Sequence, residues 1–137
     1  ANKKGVDFII CDHHNPAEKV PQAIAILNPK QIDCNYPYKA LCGCGIGFKL
    51  IQGLNTIIGN TIDNIKEYLD IVALAIAADI VALTGENRTL CYYGLEQINK
   101  SPRSGLKAII DTLEKETITI NEFEKLQEQT FTIKENK

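Results

Sequence analysis

Both histidines of the chain, His13 and His14, stand side by side directly behind an aspartate, Asp12. Imidazole nitrogen and carboxylate oxygen together suit manganese, zinc or iron, whereas magnesium or calcium alone prefers oxygen on every side. A mixed metal site is therefore the chemistry these residues could do. Their setting points the same way, because they follow the apolar run Val6 to Cys11, where a strand gives way to a loop. Adjacent strand residues point to opposite faces, but at such a transition consecutive polar groups can turn into one pocket. The bland alternative is a surface loop in which Asp12 caps a turn and both imidazoles are solvated. Asp79, closing the apolar stretch Ile65 to Ala78, weighs against it. A carboxylate there is costly to bury unpaired and is opposed by the helix dipole; a cation relieves both.

Three further groups carry weaker signals. Gly43-Cys44-Gly45-Ile46-Gly47 precedes a helical pattern, so its amides could receive an anion. Its spacing fits neither the Walker A loop nor the dinucleotide fingerprint, and tight strand-to-helix packing is the other reading. Arg88, beside Asn87 near a helix start, could reach a nucleic-acid phosphate or could equally be solvated or salt-bridged. Cys42 and Cys44 could join His13 around zinc, at a poor spacing for such a site.

The elements that must position these groups follow from periodicity. Val6 to Cys11 predicts a strand buried on both faces of a parallel sheet, and Ala23 to Leu27, stopped by Asn28 and Pro29, a second strand. A polar loop runs from Gln31 to Leu41. From Gly45 the period lengthens, and Ile46, Leu50 and Leu54, widened by Phe48 and Ile51, predict a helix. Ile65 to Ala78, apolar nearly all round, predicts a buried helix ending at Asp79. Arg88 to Asn99 and Gly105 to Leu113 predict two more, divided by the turn residues Ser101, Pro102 and Gly105. Thr117 to Ile120 reads as extended and Glu122 to Gln129 as a last polar helix. The fold class is α/β: a partial parallel sheet flanked by helices, with ligands expected at the carboxyl ends of the strands.

Composition narrows the function. The 137 residues fit one ordinary domain, and a hydrophobic content of 45% suffices for a core, which excludes a disordered chain. A net charge of -2 excludes a chain that holds nucleic acid mainly through a general basic excess. A metal ion or a separate basic surface would have to supply the attraction. Five cysteines, Cys11, Cys34, Cys42, Cys44 and Cys91, follow no paired spacing and read as reduced thiols. No apolar run reaches the roughly 18 to 20 residues of a membrane span, and no signal layout opens the chain, so a soluble cytoplasmic protein is expected. The chain contains no methionine, so residue 1 reads as an internal position of a longer protein.

Phe8-Ile9-Ile10-Cys11-Asp12-His13-His14 followed by Pro16 resembles the third motif of the DHH phosphoesterases. Several segments are similar, in the same order, to the RecJ branch of that family. They are Asn28-Pro29 after an apolar run, the Gly43, Gly45, Gly47, Phe48 and Lys49 segment, Ala77-Ala78-Asp79 with Val81 and Leu83, and Glu86-Asn87-Arg88 with Gly94-Leu95. The resemblance spans about residues 5 to 113. It implies that residues 1–113 form the C-terminal part of a DHH domain and 114–137 a helical connector toward a substrate-binding domain. It implies, further, that His13 and Asp79 are metal ligands and that Asp12 holds the geometry of the site and can touch a metal. His14 would contact the scissile phosphate, and Asn87 and Arg88 the substrate. Two divalent ions, manganese or magnesium, would activate the attacking water. The implied activity is a 5′-to-3′ exonuclease whose partner is single-stranded DNA, in repair and recombination.

Departures from the family pattern are equally specific. The first and second motifs, which bring further aspartates, have no counterpart before Asp12 except Asp7, better read as a strand-edge or packing residue. Ala75-Ile76 stands where relatives often carry Gly-Thr. With half a ligand set, these residues alone are expected to be inactive. Two other readings remain: the same chemistry on short oligonucleotides, cyclic dinucleotides or pyrophosphate, and a non-catalytic structural module.

Overall fold

In the computed structural model, which describes residues 2–112 and 117–125, the first apolar run forms strand β1 (Ile9–Cys11) and the second forms β2 (Ala25–Leu27). They pair in parallel, with Ile9 opposite Ala25, Ile10 opposite Ile26 and Cys11 opposite Leu27. Two further bonds extend the ladder: the Ile24 amide donates to the Phe8 carbonyl at 2.9 Å and the Asp12 amide to the Leu27 carbonyl at 3.0 Å. Asp12 is thus the last rung, and the chain is free to turn immediately after it.

The predicted strand over Val6 to Cys11, buried on both faces, is only partly realised. Val6, Phe8 and Ile9 are 55%, 53% and 50% exposed. Among the described residues β1 is paired along one edge by β2 and packed by the first helix, too few neighbours to enclose an apolar strand.

Helix α1 (Gly43–Ile57) begins two residues before Gly45. Its N-cap is Cys42, whose Sγ accepts a bond from the Gly45 amide at 3.2 Å. Ile46 and Phe48 are buried while Leu54 is mostly exposed, so the predicted stripe docks through its N-terminal half. Residues Lys66–Tyr68 wind as a 3₁₀ turn, and α2 (Leu69–Asp79) follows, shorter than the predicted Ile65 to Ala78. Leu69, Val72, Ala73 and Ile76 of α2 form the centre of the core.

Helix α3 (Gly85–Lys100) packs on α2 at Gly94. A Cβ at Gly94 would lie 2.3 Å from the Leu69 carbonyl oxygen and 2.6 Å from the Ala73 Cβ, so only a residue without a side chain allows this approach. Helix α4 (Ser104–Thr112) begins after the turn at Pro102. In that turn Arg103 forks onto Asp70, Nε to Oδ2 and Nη2 to Oδ1, both at 2.7 Å. Asp70 is 1% exposed, and the planar fork satisfies a carboxylate that would otherwise be stranded in the core.

Of residues 114–137, the stretch 117–125 is described; 117–119 are irregular rather than extended, and 120–125 are helical. The Glu122 carboxylate reaches back to the Thr119 amide at 2.8 Å, which caps this helical segment. Ile118, Ile120 and Phe123 pack on the core, and the Asn99 side chain holds both the carbonyl and the amide of Ile118. The remainder of the helix predicted to Gln129 falls beyond the described residues. The whole is a small parallel sheet with helices, the α/β class expected. All five cysteines are free thiols, and no helix among the described residues is long and apolar enough to cross a membrane.

Candidate metal centre

Where β1 ends, the Asp12 Oδ1 accepts the His13 amide at 2.8 Å and the His14 amide at 3.3 Å, and pairs with the His14 Nδ1 at 2.8 Å. A carboxylate bonded to the backbone one and two residues onward folds the chain into a tight turn. Strand alternation stops here, and the two imidazoles come to lie 4.4 Å apart between ring centroids. The His14 ring holds the Asp12 carboxyl below its ordinary range, with desolvation acting the other way. The His14 side chain is 78% exposed and open to a ligand.

His13 turns inward. Its side chain is 19% exposed, and its Nε2 lies 3.7 Å from Oδ2 of Asp79. Asp79 is the last residue of α2, and the chain leaves the helix through Ile80 at φ 52°, ψ 40°. That left-handed conformation is uncommon for a β-branched side chain, and Ile80 is the one non-glycine residue with positive φ among those described. Strain of this kind costs about 1–3 kcal/mol and is tolerated where the surroundings over-determine it. The carboxylates of Asp79 and Asp12 and the negative end of α2 together favour a cation beside the His13 nitrogen.

The donor types fit a divalent transition ion, but they are two. Among the described residues no group of three or more histidine, cysteine, aspartate or glutamate side chains gathers closely enough to hold a metal. Cys42 and Cys44 therefore do not complete a zinc site with His13. Burial pushes both thiols above their ordinary range, so they are neutral near pH 7, and Cys42 is committed to capping α1.

The other two predicted site residues have different surroundings. Asn87 is fully enclosed: its Nδ2 donates to the carbonyls of Ala40 at 2.6 Å and Ala82 at 3.0 Å, and its Oδ1 has no partner. A side chain shut off from solvent offers no surface to a substrate; Asn87 ties two loops together. Arg88 is ion-paired with Glu124. Asp12, His13, His14 and Asp79 meet at one place, whereas Asn87 and Arg88 make no hydrogen bond or ion pair with them among the described residues.

Sequence reasoning gave no site role to three residues around this centre. Asn28, 4% exposed, donates from Nδ2 to the His14 carbonyl at 2.9 Å and accepts the Lys30 amide at 3.0 Å on Oδ1. Lys30 and Lys39 join His13, Val81 and Ala82 around an open cleft of about 380 Å³. The available signal was position: Asn28-Pro29-Lys30 follows the second strand directly, at the carboxyl edge where parallel sheets collect ligands.

Comparison with known proteins places the chain in a family. Residues 1–76 match the model of the DHH family, N-terminal domain. Over 110 residues the chain is 43% identical to the single-stranded-DNA-specific exonuclease RecJ of Bacillus subtilis (strain 168), covering 80% of this chain and 13% of that protein. Over 121 residues it is 38% identical to the RecJ of Escherichia coli (strain K12), covering 81% and 21%. A crystal structure of exonuclease RecJ bound to manganese superposes with a TM-score of 0.72 at 29% identity, over 82% of this chain and 28% of that one. The chain thus spans well under two thirds of the relatives it matches. With the triplet Asp12-His13-His14 closing a parallel strand and more than half of its residues inside the family match, the chain belongs to the DHH family, among relatives that are RecJ exonucleases.

Proposed function

We propose that residues 1–137 supply part of the catalytic core of a metal-dependent exonuclease that digests single-stranded DNA from 5′ to 3′, in cytoplasmic repair and recombination. The observation that carries this is the approach of His13 Nε2 to 3.7 Å from Asp79 Oδ2, a nitrogen and an oxygen donor brought together by the fold. The relatives, which are single-stranded-DNA-specific exonucleases, and the manganese bound by the similar RecJ structure support it.

His13 and Asp79 would hold one of two divalent ions, Mn²⁺ or Mg²⁺, with Asp12 fixing the loop beside them. Two ions, when bound, stabilise both the attacking and the leaving oxygen of a displacement at phosphorus. His14 stands exposed with its Nδ1 on Asp12, which leaves Nε2 facing outward. A protonated His14 would donate from Nε2 to an oxygen of the scissile phosphate. Asn87, in this arrangement, keeps the loops in register instead of touching DNA, and Arg88 would reach substrate only by releasing Glu124.

In the parent protein with Mn²⁺, His13→Ala or Asp79→Ala should slow digestion of end-labelled single-stranded DNA by about 10²–10³-fold, the scale of losing a group that stabilises the transition state. Single-stranded DNA left intact by the wild-type protein, with His13→Ala no different from it, would sink the proposal.

A further inference from the structure

We infer that the cleft beside His13 is a phosphate subsite in which Lys30 and Lys39 hold a neighbouring, non-scissile phosphate of the nucleic-acid strand. This deepens the function proposed above and rests on it. The cleft, about 380 Å³, is lined in part by His13, so a strand engaged at His13 and Asp79 can continue along it.

Its charge is of the required sign and is unspent. Lys49, Lys66, Lys100 and Lys107 each face a carboxylate. Lys30 and Lys39 have no ion pair among the described residues, and the Lys39 Nζ donates only to the Cys34 carbonyl, at 2.7 Å. That neutral acceptor orients the ammonium without cancelling it. The positive end of α1 lies close by: a Cβ on Gly43, its first residue, would sit 3.6 Å from the His13 ring. A site for a cation at Asp79 thus adjoins a site for an anion at the lysines, the alternation a phosphodiester strand held through metal ions presents.

Position, too, is built in. Asn28 and Asn87 are 4% and 0% exposed, and burying an amide is costly unless it is bonded. Asn28 joins the His14 carbonyl to the Lys30 amide. Asn87 joins the Ala40 carbonyl, next to Lys39, to the Ala82 carbonyl, three residues beyond Asp79. The two buried asparagines therefore tie the loops bearing both lysines to the loop bearing the histidines and to the segment that follows Asp79. A chain of net charge -2 has no general basic excess to do this work, so local lysines at the site matter.

The test is binding of a labelled, 5′-phosphorylated single-stranded oligonucleotide by the parent protein, in an Asp79→Asn background so that the strand is not consumed. Lys30→Ala and Lys39→Ala should each raise Kd several-fold, equally for thymidine and adenosine tracts, because a phosphate contact carries no sequence information. Each should flatten the plot of log affinity against log salt by about 0.7, the value for one single-strand phosphate contact. Lys→Arg at either position should restore most of the affinity, and Lys107→Ala on α4 should change nothing. Unchanged Kd and salt slope in both variants, with the Asp79 protein still digesting DNA, overturns the subsite and leaves the proposed function standing. No binding and no digestion by the wild-type protein overturns both.

Discussion

His13 and His14 share a peptide bond, yet one faces Asp79 from a largely enclosed position and the other is open to solvent. Their loss should therefore be felt differently. His13→Ala should weaken Mn²⁺ binding by the parent protein, seen by calorimetry, whereas His14→Ala should leave that binding intact and reduce the rate of digestion. Equal loss of metal affinity in both variants would contradict the division of roles. Asp12, all three of whose contacts fall on Oδ1, separates turn from charge: Asp12→Asn can keep the turn, and Asp12→Ala cannot. The same scale contains a residue pair that the sequence did not announce. Arg103→Ala would leave Asp70 as a buried, unpaired charge, with an expected loss of roughly 3–5 kcal/mol in chemical denaturation. The Asp70 partner also holds the Arg103 guanidinium above its ordinary range.

Elements are held in register by close approaches that allow little substitution. Gly94→Ala sets a Cβ against a carbonyl oxygen of α2, which cannot step aside as a flexible side chain would. The expected cost is about 1–3 kcal/mol or more, the range for overpacking. Gly53→Ala on the exposed side of α1, where nothing lies within 4 Å, should instead stabilise by up to roughly 1 kcal/mol. Urea midpoints of the two variants should move in opposite directions. The loop before α1 is latched to α3 by Tyr36 on Glu86 and by Tyr38 on the Thr84 carbonyl, each at 2.7 Å. Burial, helped by the Glu86 carboxylate, pushes the Tyr36 hydroxyl above its ordinary pKa. A folded-state value above the unfolded one stabilises fully below about pH 10 and is lost as pH rises past it. Stability should therefore fall in alkali, and Tyr36→Phe should remove that part of the fall.

At the scale of the whole molecule, two features agree. Val6, Phe8 and Ile9, leading into β1, are half exposed, and among the described residues the candidate metal donors that converge number two. Residues 1–137 by themselves should accordingly bind Mn²⁺ weakly and leave DNA undigested. Tight Mn²⁺ binding by these residues, measured by calorimetry, would show that two donors suffice here. Thiol labelling offers a check of the core itself: Cys91, fully enclosed and pushed up to about 11 by burial, should react with iodoacetamide near pH 7.5 only as the protein opens.

The sequence by itself determined what is local. The end of β1 at Asp12, the turn that follows, the apolar period of α2 and its termination at Asp79 depend on residues within a few positions of one another, and all could be read in order. Tertiary structure alone decided which of these groups meet. The ties between Asn87 and Ala40, Arg103 and Asp70, and Arg88 and Glu124 span 47, 33 and 36 residues. That Asn87 is enclosed and that Arg88 pairs with Glu124 could not be read from their types and neighbours. Lys30 and Lys39 carry no signal of their own until the fold sets them around His13. Periodicity and turn chemistry are written in short stretches of chain. Burial, charge pairing and the sharing of a cleft are free energies of the folded whole, and no short stretch contains them.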